Sequence, residues 1–295
     1  MRLVRFSAGD GAARIGVLDP ETARSIVPLR GAATMADLLA LPLERIREIC
    51  ENPGGEPVPL AGASLLAPVD GHTDVWAAGV TYERSRAARV VESEHEADVY
   101  ERVYTAERPE LFFKSTAWRV AGPGGAVSVR ADSEVTVPEP ELAAVLNYAG
   151  EVAGYTICND MSSRSIEGQN PLYLPQAKIY LGGCAAGPWI RPAWEVFDPY
   201  ALTIEMTIFR GGSVAWQGHT STSGLRRRIG ELAGFLFRED EFPAGVVLST
   251  GTCLVPDLPF TLREGDQISI RIDEIGELVN GVVRGKAAVG TQLFR

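Results

Sequence analysis

Three carboxylates close together in the chain are the first candidates for chemistry. Glu139 and Glu141 flank Pro140, and Asp160 follows after one apolar run, a turn and a second apolar run. Residues two apart in an extended chain point to the same face, so the two glutamates project together. If the segment between them and Asp160 is a hairpin, a two-residue loop places Glu141 opposite Asp160. A four-residue loop places Glu139 there instead.

Either register gathers three anions, and neighbouring anions repel unless a cation joins them. Ligation by oxygen atoms alone suits a hard cation such as Mg²⁺, Mn²⁺ or Ca²⁺. The alternative is a solvated strand end with unrelated acids, because Glu-x-Glu is a common pattern. The sequence therefore offers Glu139, Glu141 and Asp160 as candidate metal ligands.

Two further segments carry polar groups that suit such a site. Lys178 lies in a Pro- and Gly-rich segment with few other charges, where it would serve as a charge partner or a proton-transfer group. An ordinary solvent-exposed lysine is the alternative. Thr250–Thr252 follow an apolar run, and Gly251 allows the backbone to approach a ligand closely. An ordinary turn at a strand end explains that segment equally well.

The elements that must position these residues form an α+β pattern rich in strands. Alternating residues around a Gly-containing turn predict a hairpin over 1–18, and apolar spacing predicts a helix from Thr34 to Glu51. The segment 52–71 is rich in Pro and Gly and is interpreted as a linker. We therefore expect a small N-terminal α+β domain over 1–69 and a β-rich catalytic domain over 70–295, ending in successive short strands.

Two helical patches interrupt the strands of the larger part. The charged stretch 83–105 is typical of a solvent-exposed helix, with a lid over a site as the alternative. The stretch 222–238 has apolar residues at helical spacing and a Thr or Ser at its start that can cap it. Its run Arg226–Arg228 lies near the positive end of the helix dipole, where cations are disfavoured. A surface or subunit-interface ion pair is the favoured explanation of that run.

Composition excludes several classes of protein. The 295 residues carry a formal net charge of −10, which is the wrong sign for binding nucleic acid. We expect no membrane span and no signal peptide, because no apolar run approaches the length that spanning requires. The four cysteines form no CxxC pair, so they indicate reduced thiols in a cytoplasmic protein.

The order of these motifs resembles the fumarylacetoacetate hydrolase superfamily. The resemblance covers about residues 70–295 and rests on Glu139-Pro140-Glu141, Asp160 in NDMSSR, Lys178, Gly187-Pro188 and the TGT at 250–252. It implies a rolled, mixed β-sheet around the site, a homodimer or higher homo-oligomer, and Mg²⁺ or Mn²⁺ on the three carboxylates. It also implies a small substrate with a 2-keto-acid or 1,3-diketo end that chelates the metal.

One departure from the family pattern favours a particular reaction. Hydrolases of the family carry a catalytic histidine shortly after a Gly-x-Asn-Tyr strand end, and the corresponding segment here reads GVTYERS, with Ser85 in its place. The strings ERPELFFK and NDMSSRSIEGQNPLYLPQAK resemble the branch that dehydrates 2-keto-3-deoxy sugar acids through a metal-chelated enolate. Pentonates that give 2,5-dioxopentanoate are the expected substrates. The alternatives are an acylpyruvase-type C–C hydrolase, an oxaloacetate-type decarboxylase and a non-catalytic relative.

The resemblance also implies roles for individual side chains. Lys178 and Glu110 are the expected proton-transfer groups, and Glu110 enters an apolar strand where burial would raise the pKa of a carboxyl. An exposed acid at a strand start is the alternative for Glu110. The expected substrate-binding residues are Ser85, Arg164, Glu167 and Thr252. For Arg164 and Glu167 the alternative is that they pair only with each other.

Overall fold

A computed structural model of the chain describes residues 1–9, 11–19, 24–83 and 102–293, and the structural statements below concern these residues. The strands are β1 (Arg2–Ala8), β2 (Ala13–Leu18), β3 (Ser25–Pro28), β4 (Val58–Pro59), β5 (Ala63–Leu66), β6 (Asp74–Gly79), β7 (Glu110–Thr116), β8 (Ala126–Val129), β9 (Thr136–Val137), β10 (Pro140–Leu146), β11 (Val152–Asp160), β12 (Ser162–Ser163), β13 (Cys184–Pro192), β14 (Thr203–Arg210), β15 (Ser213–Ser221), β16 (Val246–Ser249), β17 (Gln267–Ile272) and β18 (Gly276–Arg284). The helices are α1 (Met35–Leu39), α2 (Leu43–Glu51), α3 (Arg164–Glu167), α4 (Leu174–Lys178), α5 (Ile229–Leu236) and α6 (Gly285–Leu293). Residues 102–105 form one further helical turn. Within the described ranges, no helix is both long and apolar enough to span a bilayer.

A mixed sheet of 11 strands organises the fold, in the order β4-β3-β2-β1-β13-β11-β10-β16-β6-β7, with β5 paired to β1. Its strand β16 runs parallel to β6, and the neighbouring pairs are antiparallel. A second sheet of five strands follows the order β15-β14-β17-β18-β8. The expected β-rich mixed fold is confirmed.

The core lies on both faces of the large sheet. In β10, Leu142 and Ala144 face a cluster that includes residues of the five-stranded sheet, whereas Ala143 and Val145 face a cluster that includes α1 and α2. A strand buried on both faces needs a continuous apolar run rather than alternation, and the sequence LAAVL supplies one. This buried run therefore gives rigid support to Glu141, the residue directly before it.

The N-terminal predictions are confirmed in part. β1 and β2 form the expected hairpin, but the expected helix from Thr34 to Glu51 is divided into α1 and α2. Pro42 causes the break, because proline has no N–H to donate to a helical hydrogen bond and disfavours helical backbone at the preceding residue. The Asp70 carboxylate accepts hydrogen bonds from the amides of Met35 and Ala36, which caps α1.

The interpretation of 52–71 as a linker is wrong. This segment contributes β4 and β5, which pair with β3 and β1. β1 in turn pairs with β13, so strands from the first 69 residues and from the rest of the chain share one sheet. The domain boundary at residue 69 stays a prediction.

The helix predicted over 222–238 is shorter than expected. Thr222–Gly224 form a single 3-10 turn, residues 225–228 lie outside any helix with extended backbone at Leu225 and Arg228, and α5 begins at Ile229 without a cap from the side chain of Arg228. The extended part pairs with another segment, because Leu225 forms an antiparallel bridge with Tyr82. This tertiary pairing overrides the local helical pattern. Of the expected helix over 83–105, residues 84–101 lie outside the described residues.

Candidate metal centre and active site

The three carboxylates meet where β10 begins and β11 ends. Glu141 pairs with Cys158, Pro140 pairs with Asn159, and the amide of Asp160 donates to the carbonyl of Glu139 at 2.9 Å. The observed register is therefore the one in which Glu139 lies opposite Asp160, as a four-residue loop predicts. Pro140 tolerates this position because it is the first residue of its strand.

The carboxylates form a compact, buried group. One oxygen from each of Glu139, Glu141 and Asp160 lies within 4.8 Å of the other two. Their exposed fractions are 3%, 1% and 1%, so bulk water does not screen their mutual repulsion. Such an arrangement requires compensating positive charge.

Three cations of the chain contact two of these carboxylates. The Nζ of Lys178 donates to Glu139 Oε2 at 2.9 Å and to Asp160 Oδ2 at 3.0 Å. The ammonium of Lys114 pairs with the other Asp160 oxygen. Arg164 Nη2 lies 2.9 Å from Glu139 Oε1. Lys178 is buried, so the alternative of a solvent-exposed lysine is wrong.

Glu141 has a different environment from its two neighbours. Its Oε2 accepts hydrogen bonds from the Ser249 hydroxyl at 2.5 Å and from the Gly251 amide at 2.8 Å. Burial, followed by the charge of Asp160, raises the pKa of Glu141 well above the ordinary value of a glutamate. Glu141 is therefore the carboxylate of the three that is least compensated by the described residues.

The loop after β16 is shaped to hold Glu141. Gly251 has a φ of +93°, in the left-handed region that favours glycine. A Cβ on Gly251 would lie 2.0 Å from the hydroxyl of Thr81, which donates to the carbonyl of Thr250 at 2.6 Å. The sequence prediction of a close backbone approach at Gly251 thus has a structural basis, although the group approached is Thr81.

The donor set suits a hard divalent cation. At a Mg–O distance of about 2.1 Å, two ligands of one Mg²⁺ are at most about 4.2 Å apart. Three oxygens that lie within 4.8 Å of one another are therefore near enough to share one cation. All three donors are carboxylates, which favours Mg²⁺, Mn²⁺ or Ca²⁺ over metals that prefer sulfur or imidazole. A cation here would also relieve the repulsion that raises the pKa of Glu141.

A pocket opens beside the carboxylates. Its described lining includes the polar residues Glu110, Glu167, Lys178 and Thr252, together with the apolar residues Val80, Val103, Phe112, Pro171 and Leu174. Glu110 is half-buried at the start of β7, and a Cβ on Gly79 would lie 2.1 Å from its Oε2. The pocket therefore joins a cation site to titratable groups within one cavity.

Comparison with known protein families shows which family this chain belongs to. Residues 75–283 match the family model described as fumarylacetoacetate (FAA) hydrolase C-terminal, and residues 1–68 match the model described as Rv2993c-like, N-terminal. The chain belongs to the fumarylacetoacetate hydrolase family. The resemblance drawn from the sequence motifs is therefore confirmed.

Two curated members of the family are similar over most of this chain. A protein of Haloferax volcanii named "Probable 2-keto-3-deoxyxylonate dehydratase" is 51% identical over 251 residues, which cover 85% of this chain and 84% of that protein. The 2-dehydro-3-deoxy-D-arabinonate dehydratase of Saccharolobus solfataricus is 44% identical over 221 residues, 74% of each chain.

A solved structure of the family shares the fold of this chain over most of its length. It is described as 2-keto-3-deoxy-D-arabinonate dehydratase complexed with magnesium and 2,5-dioxopentanoate. It has a TM-score of 0.83 and 36% sequence identity, and the match covers 96% of this chain and 99% of that one.

The site residues predicted from the sequence line the pocket, apart from Arg164, which contacts the pocket residue Glu139, and Ser85. Arg164 and Glu167 both lie in α3, where Arg164 Nε is 4.0 Å from Glu167 Oε2, so the two also pair with each other. Thr252 lines the pocket, and its hydroxyl accepts from the Leu254 amide at 3.2 Å. Ser85 lies outside the described residues.

Sequence reasoning missed three polar residues that support this family site. Lys114 and Ser249 contact Asp160 and Glu141, and the Ser162 hydroxyl accepts from Lys178 at 2.5 Å. Lys114 had a usable signal, because it follows Glu110 and Phe112 at alternating positions of a strand and so shares their face. The serines had none, because small hydroxyl residues are common at strand ends.

Proposed function

We propose that this chain is a divalent-metal-dependent dehydratase of 2-keto-3-deoxy sugar acids. Its proposed substrates are 2-keto-3-deoxy-pentonates such as the xylonate and the arabinonate, and its product is 2,5-dioxopentanoate. The names of the two curated relatives and the ligands of the related structure support this choice. The single observation that carries it is a buried lysine, Lys178, bonded to two candidate metal ligands in a pocket that also contains Glu110.

Glu139, Glu141 and Asp160 are the proposed metal ligands, and Mg²⁺ is the proposed metal. When bound, the cation supplies Lewis-acid polarisation of the carbonyl beside the carbon that loses its proton. The contacts of Arg164 and Lys178 hold Glu139 in place from two sides. Neutral donors hold Glu141 without adding a competing positive charge.

The overall reaction removes one water from the substrate. The C3–H and C4–O bonds break, water leaves, and tautomerisation produces the aldehyde. Lys178 pairs with two carboxylates, and its ammonium form is the proposed proton donor to the departing hydroxyl. Glu110 is the proposed acceptor of the carbon-bound proton. The ring of Phe112, with its centroid 5.7 Å from Lys178 Nζ, covers the ammonium on one side.

The charges around the pocket favour a substrate with a neutral tail. Among the described lining residues, Lys178 is the sole cation, whereas Glu110 and Glu167 remain as anions beyond the candidate metal ligands. A second carboxylate on the substrate would meet these two anions. Hydroxyl groups would instead find acceptors in Glu110 and Glu167 and a hydroxyl partner in Thr252. Substrate binding by Arg164, Glu167, Thr252 and Ser85 is part of the proposal.

Turnover of defined keto acids tests the assignment. The protein is incubated with Mg²⁺ and with 2-keto-3-deoxy-D-xylonate or 2-keto-3-deoxy-D-arabinonate, and the products are resolved by mass spectrometry. We expect loss of one water, an aldehyde that an oxime reagent traps, and no reaction after EDTA. Pyruvate release from acylpyruvates or decarboxylation of oxaloacetate, without dehydration of either pentonate, would contradict the proposal.

We also propose a cytoplasmic homodimer. All four cysteines are present as buried thiols, which suits a reducing compartment. Leu172 and its neighbour Tyr173, beside the pocket residue Pro171, are 83% and 40% exposed, and adjacent exposed apolar side chains supply surface that a subunit contact would cover. Light scattering of the purified protein measures the mass of the assembly, and a monomer at micromolar concentration would contradict the dimer.

A further inference from the structure

Residues 225–227, between the 3-10 turn and α5, contact two distant parts of the chain. On one side, Leu225 forms a bridge with Tyr82, and the amide of Arg226 donates to the carbonyl of Thr81 at 3.0 Å. On the other side, the side chains of Arg226 and Arg227 extend to residues 104–107. Both parts belong to the connection between β6 and β7.

The two arginines bind the carbonyl end of the helical turn 102–105. Arg226 Nη1 donates to the carbonyl of Tyr104 at 2.6 Å, and its guanidinium lies 4.3 Å from the centroid of the Tyr104 ring. Arg227 donates to the carbonyls of Ala106 and Glu107. Carbonyls at a helix C-terminus lack intrahelical donors, so cations are favoured there.

Both contacted parts supply a wall of the pocket. Val80, directly before Thr81, and Val103, directly before Tyr104, both line the pocket, the first before and the second after residues 84–101 in the chain. Val80 has a φ of +51°, which is strained for a β-branched residue and persists only where the surroundings enforce it. The hydrogen bond from Thr81 to Thr250 and the one from Arg226 to Thr81 supply that enforcement.

We infer that Arg226 and Arg227 are positioning residues of the active site. By bonding both to Thr81 and to residues 104–107, they set the distance between Val80 and Val103 and so shape the part of the pocket that receives the substrate tail. The expected change in KM rests on the proposed function, whereas the positioning of the pocket wall does not. The ion pair expected for this arginine run is present between Arg227 and Glu231, but Arg227 is buried and bonds to carbonyls as well.

Arg228 offers a matched control in the same sequence run. Arg226 and Arg228 are both exposed, and each places its guanidinium over a tyrosine ring, at 4.3 Å from Tyr104 and 4.2 Å from Tyr200. Replacing either by alanine removes one positive charge and one cation–π contact. Only Arg226→Ala also removes a hydrogen bond to the pocket wall.

Steady-state kinetics and amide hydrogen exchange test the inference together. We expect Arg226→Ala to raise KM for the 2-keto-3-deoxypentonate roughly fivefold, with a smaller change in kcat, because one hydrogen bond is lost. Arg228→Ala keeps the KM of the parent protein, and Arg226→Lys restores part of the loss. The affinity for Mg²⁺, measured by calorimetry, stays the same in all three variants.

Hydrogen exchange needs no turnover, so it separates the two proposals. In Arg226→Ala, and in Arg227→Lys, the amides of 80–82 and 103–107 exchange faster than in Arg228→Ala. Equal exchange and equal KM in Arg226→Ala and Arg228→Ala would overturn the inference, and so would an equal loss of Mg²⁺ affinity. A parent protein that does not dehydrate either pentonate contradicts the proposed function, and the exchange comparison then decides the positioning role alone.

Discussion

The ammonium of Lys114 donates a hydrogen bond to the backbone carbonyl of Lys178 at 2.6 Å, inside the protein. The same ammonium donates to the carbonyl of Met161 at 3.0 Å and pairs with Asp160. One buried cation thus fixes the backbone of the proposed proton donor and of the residue that follows a proposed metal ligand. Lys114 lies on β7, which also carries the proposed proton acceptor Glu110.

Replacing this cation by an isosteric apolar residue has three expected effects. Lys114→Met lowers the free energy of unfolding by about 3 kcal/mol, because it breaks a buried ion pair while Lys178 still partners Asp160. It lowers kcat roughly tenfold or more, because the Lys178 backbone loses a fixed bond. It does not weaken Mg²⁺ binding, because losing an adjacent positive charge offsets the lost orientation of Asp160.

Chemical denaturation, turnover and calorimetry measure these effects separately. Lys286→Met, at an exposed lysine on α6, is the control for loss of a lysine charge. A Mg²⁺ affinity that falls more than tenfold in Lys114→Met would show that Lys114 orients the metal ligand instead.

The candidate metal ligands were predictable because their positions follow from local rules. Alternation in a strand places Glu139 and Glu141 on one face, and a hairpin returns Asp160 to them in either register. The choice between registers was not local, because it depends on a bulge between Val145 and Leu146 beside the turn. The identification of the family needed the order of several motifs, none of which suffices alone.

Tertiary pairing explains what the sequence left unpredicted. The segment 52–71 has the composition of a linker, yet β5 within it pairs with β1, and composition carries no information about a partner strand. The helix expected from residue 222 gives way to a bridge between Leu225 and Tyr82, a contact between residues far apart in sequence. Lys114 was overlooked because a lysine in an apolar strand indicates a function only once its partners are known.

The affinity for Mg²⁺ is expected to depend on pH through Glu141. Burial and the charge of Asp160 hold the pKa of Glu141 well above its ordinary value, so in the metal-free protein this carboxyl keeps its proton to a higher pH than an ordinary glutamate does. A cation must displace that proton, so affinity falls as pH falls and reaches a plateau above the raised pKa. Calorimetry between about pH 5 and pH 8, in buffers of different ionisation enthalpy, measures affinity and proton release.

Glu141→Gln is the variant that identifies the titrating group. It weakens Mg²⁺ binding and, because a glutamine does not titrate, it removes proton release from the reaction. Glu205→Gln, at an exposed glutamate on β14, keeps the behaviour of the parent protein. Proton release that persists in Glu141→Gln would assign the pH dependence to another group.

Gly79 is expected to set the position of the Glu110 carboxylate. A Cβ at residue 79 would lie 2.1 Å from Glu110 Oε2 and 2.7 Å from its Cδ, so Gly79→Ala forces this flexible carboxylate to move. We expect Glu110→Gln to lower kcat about 100-fold, which is within the range for a lost acid–base group. Gly79→Ala also lowers kcat, by about tenfold. Neither variant changes the Mg²⁺ affinity.

Gly230→Ala on α5 is the matched control, because no atom lies within 4 Å of the added Cβ. Stopped-flow or steady-state rates at saturating substrate provide kcat. A normal kcat in Gly79→Ala, beside a strongly lowered one in Glu110→Gln, would mean that the position of this carboxylate tolerates displacement.

We expect metal removal to leave the fold intact. In the metal-free protein, substitutions of Asp160 and of Glu141 are expected to change the free energy of unfolding differently. Lys114 and Lys178 both pair with Asp160, whereas the described contacts of Glu141 oxygens are a hydroxyl and an amide. In the metal-free protein, Asp160→Asn therefore leaves the buried ammonium of Lys114 without its carboxylate partner and Lys178 with Glu139 alone, and it lowers the free energy of unfolding by about 3–5 kcal/mol.

Glu141→Gln has the opposite expected effect on the metal-free protein at neutral pH. A carboxyl whose pKa is raised by folding loses stability as pH rises above its ordinary value of 4.5, so removing its charge restores that stability. Denaturation of both variants in EDTA at pH 5 and pH 8 tests this contrast, and the parent protein gains about 2.7 kcal/mol when Mg²⁺ is present at 100 times its Kd. Equal destabilisation by Asp160→Asn and Glu141→Gln would show that the two carboxylates share their compensating cations.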